Sequence, residues 1–409
     1  MKIILLTNEY PPHIYGGAGV HVEYLTREFS RLKGGKEDIH ILCFGEQKDH
    51  FDNVTVEGVR LAFDFPFQDR RHQKLLDTLF RNLIMAGSVK EADIVHCHTW
   101  YTHLAGCLIK QIFGIPLAIT IHSLEPQRPW KEEQLGTAYH ASAWVEKTAY
   151  ENADGVIAVS KSMKRAVHDL YKVPFERIDV IPNGIDLNEY KPTFNADLLT
   201  SYGIDPRKPF LLFVGRITRQ KGLVHLIRAI RRLDQGIQVV LCAGAPDTRE
   251  IGEEMAKEVK KARGESKNEI VWIDQWVPRA HLVCLFSHAS LFVCPSVYEP
   301  FGIINLEAMA CETPVVASAV GGIQEVVVHG ETGLLVPFEP IDADHMDPAE
   351  PEEFSRDLAA AINHLFRSPE EIEAMGGKAR ERVEKQFGWE SVARQTLEFY
   401  GKLTRKEGS

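Results

Sequence analysis

The sequence predicts an α/β protein of two doubly wound domains that face each other across a cleft. Short apolar runs alternate with longer amphipathic segments, which is typical of parallel strands covered by helices on both faces. A strand, a glycine-bearing turn and an amphipathic helix open each half, as LLTNEYPPHIYGGAGVHVEYL and again as LLFVGRITRQKGLVHLI. The length of 409 residues also suits two domains of about 200 residues each.

Apolar, β-branched runs predict two series of strands, one in each half of the chain. The first series covers residues 2–7, 39–44, 94–98, 117–122, 155–160 and 179–181, and the second covers 210–214, 238–243, 270–273, 291–295, 314–317 and 333–336. Apolar residues at helical spacing predict helices between these strands, among them 20–32, 73–87, 103–113, 224–233, 251–263 and 354–366. Strands that alternate with helices in this way build parallel sheets.

Turn-forming residues separate the two series and place the boundary between the domains. Asn183-Gly184, Pro192, Pro206 and Pro209 lie close together in this stretch. We therefore expect a first domain over residues 1–190, a linker over 191–208 and a second domain over 209–389. A last helical segment at 390–409 follows Phe387-Gly388-Trp389 and is expected to pack back on the first domain.

Composition and charge favour a globular protein that binds small molecules. Apolar residues make up 44% and charged residues 25%, and the formal net charge is −10, which argues against nucleic acid or an anionic membrane as partner. The seven cysteines include no CxxC pair, which favours a reducing compartment. No apolar run approaches the ~18 residues of a spanning helix. We expect a cytoplasmic protein without stable membrane association.

The segment SVYEPFGIINLEAMAC at 296–311 combines two carboxylates with a helix start. Pro300 biases Glu299 toward an extended conformation at the end of a strand. Gly302 permits a tight turn into a helix, so the free amides near Gly302, Ile303 and Ile304 could seat an anion. Glu307 would project into the same space. One carboxylate could bind sugar hydroxyls and the other a ribose diol; a helix cap with a solvated glutamate is the plain alternative.

The segment GRITRQKG at 215–222 places two cations directly after an apolar strand. Arg216 and Lys221 could neutralise the charge that develops on a diphosphate leaving group. The GxxxxGK[ST] spacing of a Walker-type phosphate loop is absent. An exposed basic turn is the alternative interpretation.

Two further features lie at strand ends in the first half. Gly16 and Gly17, after Tyr15, open a helix where backbone amides could approach a phosphate. His96 and His98 share one face of a strand, but no further cluster has metal-ligand spacing, so we expect no metal site. His122 ends the next strand and could hydrogen-bond a sugar hydroxyl, or else be a core histidine.

Together these motifs resemble the retaining, nucleotide-sugar-dependent glycosyltransferases with two Rossmann-like domains, the GT-B architecture. The resemblance spans nearly the whole chain and rests on GGAG, TIHS, IPNGID, GRITRQKG and the Glu299/Glu307 pair. The segments YGGAGVHVEYL, HTWY, HSLEPQRPWKEEQLG and CAGAPDTREI are similar to the actinobacterial-type glycogen synthase branch. Members of that branch use ADP-glucose, and some make maltose 1-phosphate from glucose 1-phosphate.

The resemblance implies a role for each matching residue. Arg216 and Lys221 would bind the donor diphosphate, Glu307 the ribose and Glu299 the transferred glucose. His122 would lie near the anomeric centre, and Gly17 would contact phosphate by its amide. The domain at 209–389 would then bind the donor and the domain at 1–190 the acceptor. The resemblance also implies that no metal or other cofactor is needed and that the linkage formed is α, with retention.

At two positions on the acceptor side, this chain differs from the pattern of glycogen and starch synthases. Bacterial glycogen and plant starch synthases carry Lys where this chain has Ile14, and Asp where it has Thr99, before Trp100. Both differences put polymer elongation in doubt while leaving donor use intact. Basic residues could instead hold an acceptor phosphate; the acceptor-side candidates are Tyr15, Thr99, Trp100, Arg128, Lys131, His140 and Lys161.

The leading hypothesis is a glucosyltransferase with ADP-glucose as donor and glucose 1-phosphate or an α-1,4-glucan as acceptor. Another nucleotide-sugar donor, or a different sugar-phosphate or lipid acceptor, stays open. A non-catalytic sugar-nucleotide sensor on the same scaffold is the alternative from another class. Nucleobase preference and oligomeric state are also left open, a homodimer included.

Overall fold

The computed structural model describes residues 1–32, 37–62, 70–342 and 345–405. It divides into two compact units, the first made of Met1–Gly184 with Trp389–Ser409 and the second of Ile185–Gly388. Residues 185–208, for which the sequence suggested the end of one domain and a linker, thus lie in the second unit. Each unit is built on a mainly parallel sheet with helices between its strands. This confirms two doubly wound α/β domains.

The first unit contains eight strands and seven helices among its described residues. The strands are β1 (Lys2–Thr7), β2 (Asp38–Phe44), β3 (Lys48–Phe51), β4 (Val54–Val59), β5 (Ile94–His98), β6 (Leu117–Ile121), β7 (Gly155–Ala158) and β8 (Ile178–Val180). The helices are α1 (Gly17–Arg31), α2 (Arg70–Ser88), α3 (His103–Phe113), α4 (Lys131–Leu135), α5 (Ala138–Asn152), α6 (Lys161–Tyr171) and, from the end of the chain, α15 (Trp389–Thr404).

The first sheet has the strand order β3-β4-β2-β1-β5-β6-β7-β8. Every pairing is parallel except β3 with β4. The chain winds outward in one direction from β1 to β2 and in the other from β1 to β5. The switch in winding direction therefore falls between β1 and β5, and doubly wound sheets bind ligands outside the carboxyl ends of strands at such a point.

The last helix, α15, packs into the core of the first unit. The ring of Trp389 stacks on Tyr24 of α1, with 5.6 Å between the ring centroids. The hydroxyl of the buried Tyr400 lies 2.6 Å from Nδ1 of His96 on β5. Because these aromatic side chains are buried against α1 and the sheet, α15 is part of the hydrophobic core of this unit.

The second unit contains six strands and eight helices among its described residues. The strands are β9 (Phe210–Arg216), β10 (Gln238–Gly244), β11 (Ile270–Ile273), β12 (Leu291–Cys294), β13 (Val315–Ser318) and β14 (Gly333–Val336). The helices are α7 (Ala196–Ser201), α8 (Leu223–Ile230), α9 (Arg249–Glu265), α10 (Arg279–His288), α11 (Ile303–Ala310), α12 (Ile323–Val326), α13 (Pro351–Phe366) and α14 (Pro369–Gln386).

The second sheet is entirely parallel, with the order β11-β10-β9-β12-β13-β14. Its strands are apolar and largely buried, as expected for a sheet covered on both faces. The winding direction switches between β9 and β12. The turns that follow these two strands carry the GRITRQKG segment and Glu299, so both motifs lie at the predicted ligand edge.

The sequence missed two neighbouring strands, β3 and β4. The β3 segment, Lys-Asp-His-Phe, is polar and mostly exposed, so it has no apolar run to reveal it. It forms the antiparallel edge of the first sheet, where one turn at Asp52 and Asn53 joins it to β4. Edge strands are stabilised by pairing with one neighbour rather than by burial, which leaves a weak signal in the sequence.

All seven cysteines are buried and unpaired. They therefore act as small apolar core residues. For Cys43, Cys242 and Cys294, which lie within apolar runs, the sequence predicts this burial. Within the described residues, no helix combines the length and the apolar character that are needed to span a bilayer.

Candidate active site

The carboxyl edge of the second sheet brings Lys221 and Glu299 into contact. Nζ of Lys221 lies 2.7 Å from Oε2 of Glu299, whose side chain is almost completely buried. Ser296 contributes a third polar atom, its hydroxyl donating to the same carboxylate oxygen at 3.4 Å. A cation and a carboxylate from separate motifs thus form one polar centre at the point where the winding switches.

Close backbone packing between the two turns creates this contact. Gly222 has a φ of +60°, and a Cβ there would lie 2.0 Å from the carbonyl oxygen of Pro295. The N–H of Val297 donates to the carbonyl of Gln220 at 2.9 Å. Only glycine fits at position 222, because the backbone is left-handed and the neighbouring strand end leaves no room. The position of Lys221 is therefore fixed by the fold.

Lys221 is charged in this environment. Burial is the largest single influence on the pKa of Lys221 and lowers it, but the neighbouring charges, Glu299 first, together hold it above its ordinary value. The charge of Arg216 acts in the opposite direction and lowers the pKa of Lys221. The two cations are neighbours, since a Cβ on Gly215, the residue before Arg216, would lie 3.6 Å from Cγ of Lys221. An anion that approached both would relieve this repulsion.

Arg216 ends β9 and is half-exposed. Its Nη1 donates to Oδ1 of the buried Asp247 at 2.7 Å. Asp247 lies in the turn after β10 and is held by its own N–H, which donates to the carbonyl of Ile217 at 3.1 Å. This contact orients the guanidinium while leaving other donors on it for a ligand, since arginine has five N–H groups. Sequence analysis missed Asp247, which only the pairing of β9 with β10 brings near Arg216.

Helix α11 starts at the same edge, as the sequence predicts. Gly302 precedes it with a φ of +95°. The N–H groups of Ile303 and Ile304 have no carbonyl to bind in the first turn of their own helix. Backbone amides at a helix start attract anions because the helix dipole adds to their partial charge.

Glu307 projects from α11 and binds Tyr190. The Tyr190 hydroxyl donates to Oε1 of Glu307 at 3.0 Å. Burial raises the pKa of Glu307 to about 7, although the hydrogen bond from Tyr190 opposes this. Glu307 therefore changes between its neutral and charged forms near physiological pH. The sequence held no signal for Tyr190.

Two adjacent glycines after β13 pack against the backbone of Glu299. Gly321 has a φ of +48°, and a Cβ on it would lie 2.2 Å from the carbonyl oxygen of Glu299. The N–H of Gly322 donates to that same carbonyl at 2.9 Å. Sequence analysis did not single out these glycines, although two adjacent glycines after a strand are a usable signal for close backbone approach.

The glycine turn of the first unit already binds a carboxylate. The N–H groups of Tyr15 and Gly16 each donate to Oε2 of Glu9 at 2.9 Å. Gly16 precedes α1, and Gly17 is the first residue of that helix. The Tyr15 side chain is 72% exposed. These two amides thus bind an anionic oxygen, that of Glu9, a partner that the sequence did not reveal. The contact of the Gly17 amide with a phosphate stays a prediction.

The acceptor-side candidates have different environments. Thr99, with a φ of +69°, donates through its hydroxyl to Oδ1 of Asn8 at 2.8 Å across the β1–β5 switch. Trp100 is 4% exposed and packs with Leu75 and Leu135, so it is a core residue of this turn. Lys131 Nζ donates to Oε1 of Gln134 at 2.9 Å.

Histidine side chains lie close together at the ends of β5 and β6. Nδ1 of His98 lies 3.0 Å from Nε2 of His122, and Nδ1 of His21 lies 2.6 Å from Oδ1 of Asn183. Burial lowers the pKa of His21 to about 4 and holds the pKa of both His98 and His122 well below the ordinary value. All three imidazoles are therefore neutral at pH 7.

Among the residues that the structure describes, His21, His98 and His122 form a group of side chains that could hold a metal ion. One nitrogen from each lies within 4.8 Å of the others. Zinc–nitrogen bonds of about 2.0–2.1 Å would bring such nitrogens closer together than this outer limit. Each ring already has a hydrogen-bond contact within the protein. The spacing of histidines in the sequence does not reveal His21. This residue lies on α1, far along the chain from His98 and His122, and only the fold brings the three together.

Trp276 is a further residue that sequence analysis missed. It follows β11 and is 82% exposed, the most exposed large apolar side chain in the described part of the chain. Strands β11, β10 and β9 are parallel neighbours, so the turn with Trp276 follows β11 at the same sheet edge as Arg216. An exposed aromatic ring at this edge could stack on a nucleobase.

Two family models match the chain, one on each half. Residues 15–189 match Glycosyltransferase Family 4, and residues 196–382 match Glycosyl transferases group 1. Together the two matches cover most of the sequence, including the glycine turn of the first unit and the Lys221–Glu299 centre of the second.

Named relatives and solved structures agree with these matches. The chain is 43% identical to alpha-maltose-1-phosphate synthase of Mycolicibacterium smegmatis, over 99% of this chain and 100% of the relative. It is 29% identical to glycogen synthase of Mycobacterium tuberculosis, over 100% of this chain and 96% of the relative. Sucrose-phosphate synthase from Thermosynechococcus elongatus has the same fold, with a TM-score of 0.78, 24% identity and 98% and 99% coverage of the two chains.

Proposed function

Because the chain belongs to the GT-B glycosyltransferases of family 4 and group 1 and is a hexosyltransferase, we propose that it transfers glucose from ADP-glucose to glucose 1-phosphate. The product would be maltose 1-phosphate, a building unit for α-glucan. The observation that carries this proposal is the Lys221–Glu299 pair next to Arg216 at the switch edge of the second sheet. Two cations and a carboxylate there match a diphosphate joined to a sugar.

The second unit supplies the groups for the donor. Arg216 and Lys221 neutralise the diphosphate, and the amides of Ile303 and Ile304 bind its oxygens. Glu299 accepts hydrogen bonds from hydroxyls of the transferred glucose, and Glu307 accepts them from the ribose. Binding of the diphosphate replaces the contact between Lys221 and Glu299 with one contact for each partner. The site thus exchanges an internal ion pair for two interactions with the donor.

In the chemical step, the bond between C1 of glucose and the diphosphate oxygen breaks. A bond forms between C1 and the acceptor hydroxyl, which attacks from the face that the diphosphate leaves and so gives an α-linkage. The hydroxyl proton passes to the departing diphosphate oxygen. Negative charge develops on the diphosphate during this step, and Lys221 and Arg216 are fixed where that charge arises. Preorganised cations lower the barrier because they need no rearrangement.

We further propose that the reaction needs no metal ion. Glycosyl transfer often uses a divalent cation to neutralise the leaving diphosphate, and here two side-chain cations and helix-start amides take that role. His122 is neutral and is therefore a hydrogen-bond partner for a sugar hydroxyl rather than a fixed charge.

The names of the relatives and two residues of this chain support glucose 1-phosphate as the acceptor. Identity is 43% to an alpha-maltose-1-phosphate synthase and 29% to a glycogen synthase. Ile14 and Thr99 replace charged residues that polymer-forming synthases carry on the acceptor side. Transfer to an α-1,4-glucan is the second candidate, and the 29% identical glycogen synthase favours keeping it. A pure nucleotide-sugar sensor would not need Arg216 and Lys221 at the leaving group.

The test is ADP release from ADP-glucose, with glucose 1-phosphate and glycogen supplied side by side. Glucose and glucose 6-phosphate serve as matched acceptors that lack the phosphate or carry it elsewhere. We expect the fastest ADP release with glucose 1-phosphate, together with one product of the mass of maltose 1-phosphate.

Each other outcome would replace the proposal with a named alternative. Turnover with glycogen but not with glucose 1-phosphate would make the protein a glucan synthase. Tight ADP-glucose binding without turnover on any acceptor would favour the sensor. Faster turnover with UDP-glucose or GDP-glucose would change the donor and leave the acceptor assignment in place.

A further inference from the structure

Arg128 occupies an unusual position in the first unit, between β6 and α4. Its Nη1 donates to Oγ of Ser123 at 3.0 Å and lies 3.4 Å from Oε1 of Glu125. Its Nε is buried and has no hydrogen-bond partner among the described residues. A guanidinium group has five N–H donors, and the contacts within the described chain use one terminal nitrogen. The described contacts therefore leave the N–H groups of Nη2 for an anion, whereas the buried Nε is out of its reach.

A buried hydrogen-bond network holds the segment that carries Arg128. The Glu125 side chain is 1% exposed, and its Oε2 accepts from the hydroxyl of Ser142 at 3.1 Å. The N–H of Glu125 donates to Oε2 of Glu146 at 2.9 Å. Tyr139 donates to the Glu125 carbonyl at 2.6 Å. Every polar group of Glu125 thus binds a neighbour, so the adjacent Arg128 is held in a defined place.

The charge of this network leaves Arg128 able to attract an anion. Burial, followed by the charge of Glu125, raises the pKa of Glu146 to about 8. The hydroxyl of Tyr171 donates to Oε2 of Glu146 at 2.5 Å. Near neutral pH, Glu146 is therefore largely in its neutral, protonated form. Arg128 contacts Oε1 of Glu125 at 3.4 Å, and the protonated Glu146 adds little negative charge that would repel a phosphate.

Two other basic candidates of this region have different contacts. Lys131 binds Gln134 on the same short helix. His140 is exposed and lies 3.9 Å from Glu132, beyond hydrogen-bond distance. Arg128 contacts Glu125 directly, and Glu125 belongs to the buried network, so the fold positions this cation.

We propose that Arg128, together with the hydroxyl of Ser123, binds the phosphate group of a sugar-phosphate acceptor. Glu125 is a positioning residue that orients the guanidinium. This inference rests on the proposed function, because it assigns the acceptor phosphate of that same reaction. A bidentate guanidinium contact to a phosphate monoester would also select phosphorylated over neutral sugars.

Steady-state kinetics with glucose 1-phosphate and ADP-glucose test this assignment. The variants are R128Q, R128K and S123A, and K147Q is the matched control, since Lys147 is an exposed cation on α5 with its nearest carboxylate 3.8 Å away. We expect R128Q to raise the KM for glucose 1-phosphate about tenfold or more, as for loss of a charge-assisted hydrogen bond. R128K should retain part of the affinity, because lysine keeps the charge but not the planar fork.

The KM for ADP-glucose should stay within about twofold in every variant, and K147Q should behave as the wild type. Calorimetric titration with glucose 1-phosphate gives a second readout that does not need turnover. S123A removes one hydroxyl without changing the charge, so it keeps the test valid if R128Q unfolds, and a several-fold higher KM for glucose 1-phosphate is expected.

Two contrary results would have different meanings. If the wild type makes maltose 1-phosphate and R128Q and S123A keep its KM and Kd for glucose 1-phosphate, the Arg128 assignment is wrong and the proposed function stands. If the wild type neither binds nor uses glucose 1-phosphate, both the acceptor and the Arg128 assignment are wrong.

Discussion

Lys221 and Glu299 form an ion pair of 2.7 Å although three helices, three strands and their connecting turns separate them along the chain. The contact exists because β9 and β12 are neighbours in the sheet and Gly222 lets their turns touch. In the proposed reaction, these side chains bind opposite ends of the bond that breaks. The ion pair is therefore expected to be intact when the donor site is empty and broken when the donor is bound.

Replacing Lys221 should weaken ADP binding, whereas replacing Glu299 should not. K221A removes a diphosphate ligand and should weaken ADP binding about tenfold or more. E299Q frees Lys221 from its partner and removes no contact to ADP, so ADP should bind as tightly as to the wild type or more tightly. The same variant should lower the transfer rate, since Glu299 binds glucose hydroxyls. Calorimetric titration with ADP measures the first effect and steady-state kinetics the second.

K208A is the control for this experiment, because Lys208 is an exposed cation of the same unit that pairs with Glu269. It should leave ADP affinity unchanged. Equal losses of ADP affinity in K221A and E299Q would contradict the separate roles of the pair.

The pKa of Glu307 predicts a pH dependence of donor binding. A pKa raised to about 7 means that the carboxylate is largely protonated at pH 6 and ionised at pH 8. The ionised form accepts more hydrogen bonds from a ribose diol. The KM for ADP-glucose should therefore fall as the pH rises from 6 to 8. E307Q should have a higher KM that does not vary over this range, and a wild-type dependence retained in E307Q would assign the titration to another group.

Trp276 should contribute to nucleobase binding. Base stacking on an aromatic side chain contributes about 1–3 kcal/mol, so W276A should raise the Kd for ADP about 5- to 150-fold. The rate at saturating donor should change little, because the ring is remote from the bond that breaks. W144A, which removes another exposed tryptophan from α5 of the first unit, is the control. An ADP affinity in W276A equal to that of the control would remove this assignment.

Chelation should leave the activity unchanged. Dialysis against a strong chelator, with the metal content measured afterwards, should give the same rate of ADP release as dialysis against buffer alone. A loss of rate that one divalent ion restores would contradict the metal-free reaction. The variant H21Q would then show whether the ion binds at His21, His98 and His122.

Most strands of both units could be predicted from the sequence. Strands β1, β5, β11 and β14 begin and end at the predicted residues, because each contains β-branched or other apolar residues and is followed or preceded by turn-forming or polar ones. Other predicted strands differ by a few residues at their ends. Strand β3 was missed because it is polar, exposed and dependent on one neighbour for its hydrogen bonds.

The candidate site was predicted only in part. Motif spacing pointed to Arg216, Lys221, Glu299 and Glu307 one by one, because each follows an apolar strand or begins a helix. Their partners Asp247 and Tyr190 meet them only through strand pairing and tertiary packing. A pattern of local spacing has no access to such contacts. His21, which contacts Asn183, was missed for the same reason. Glu9 binds amides only six and seven residues away, but the path of the turn between them cannot be deduced from spacing.

The most direct test of the central claim is the single-turnover rate of R216A/K221A at saturating ADP-glucose and glucose 1-phosphate. Loss of one preorganised group at a developing charge costs about 10²–10³ in rate, so the double variant should transfer glucose at least about 10²-fold more slowly than the wild type while remaining folded. A rate close to that of the wild type would show that these two cations do not stabilise the leaving diphosphate.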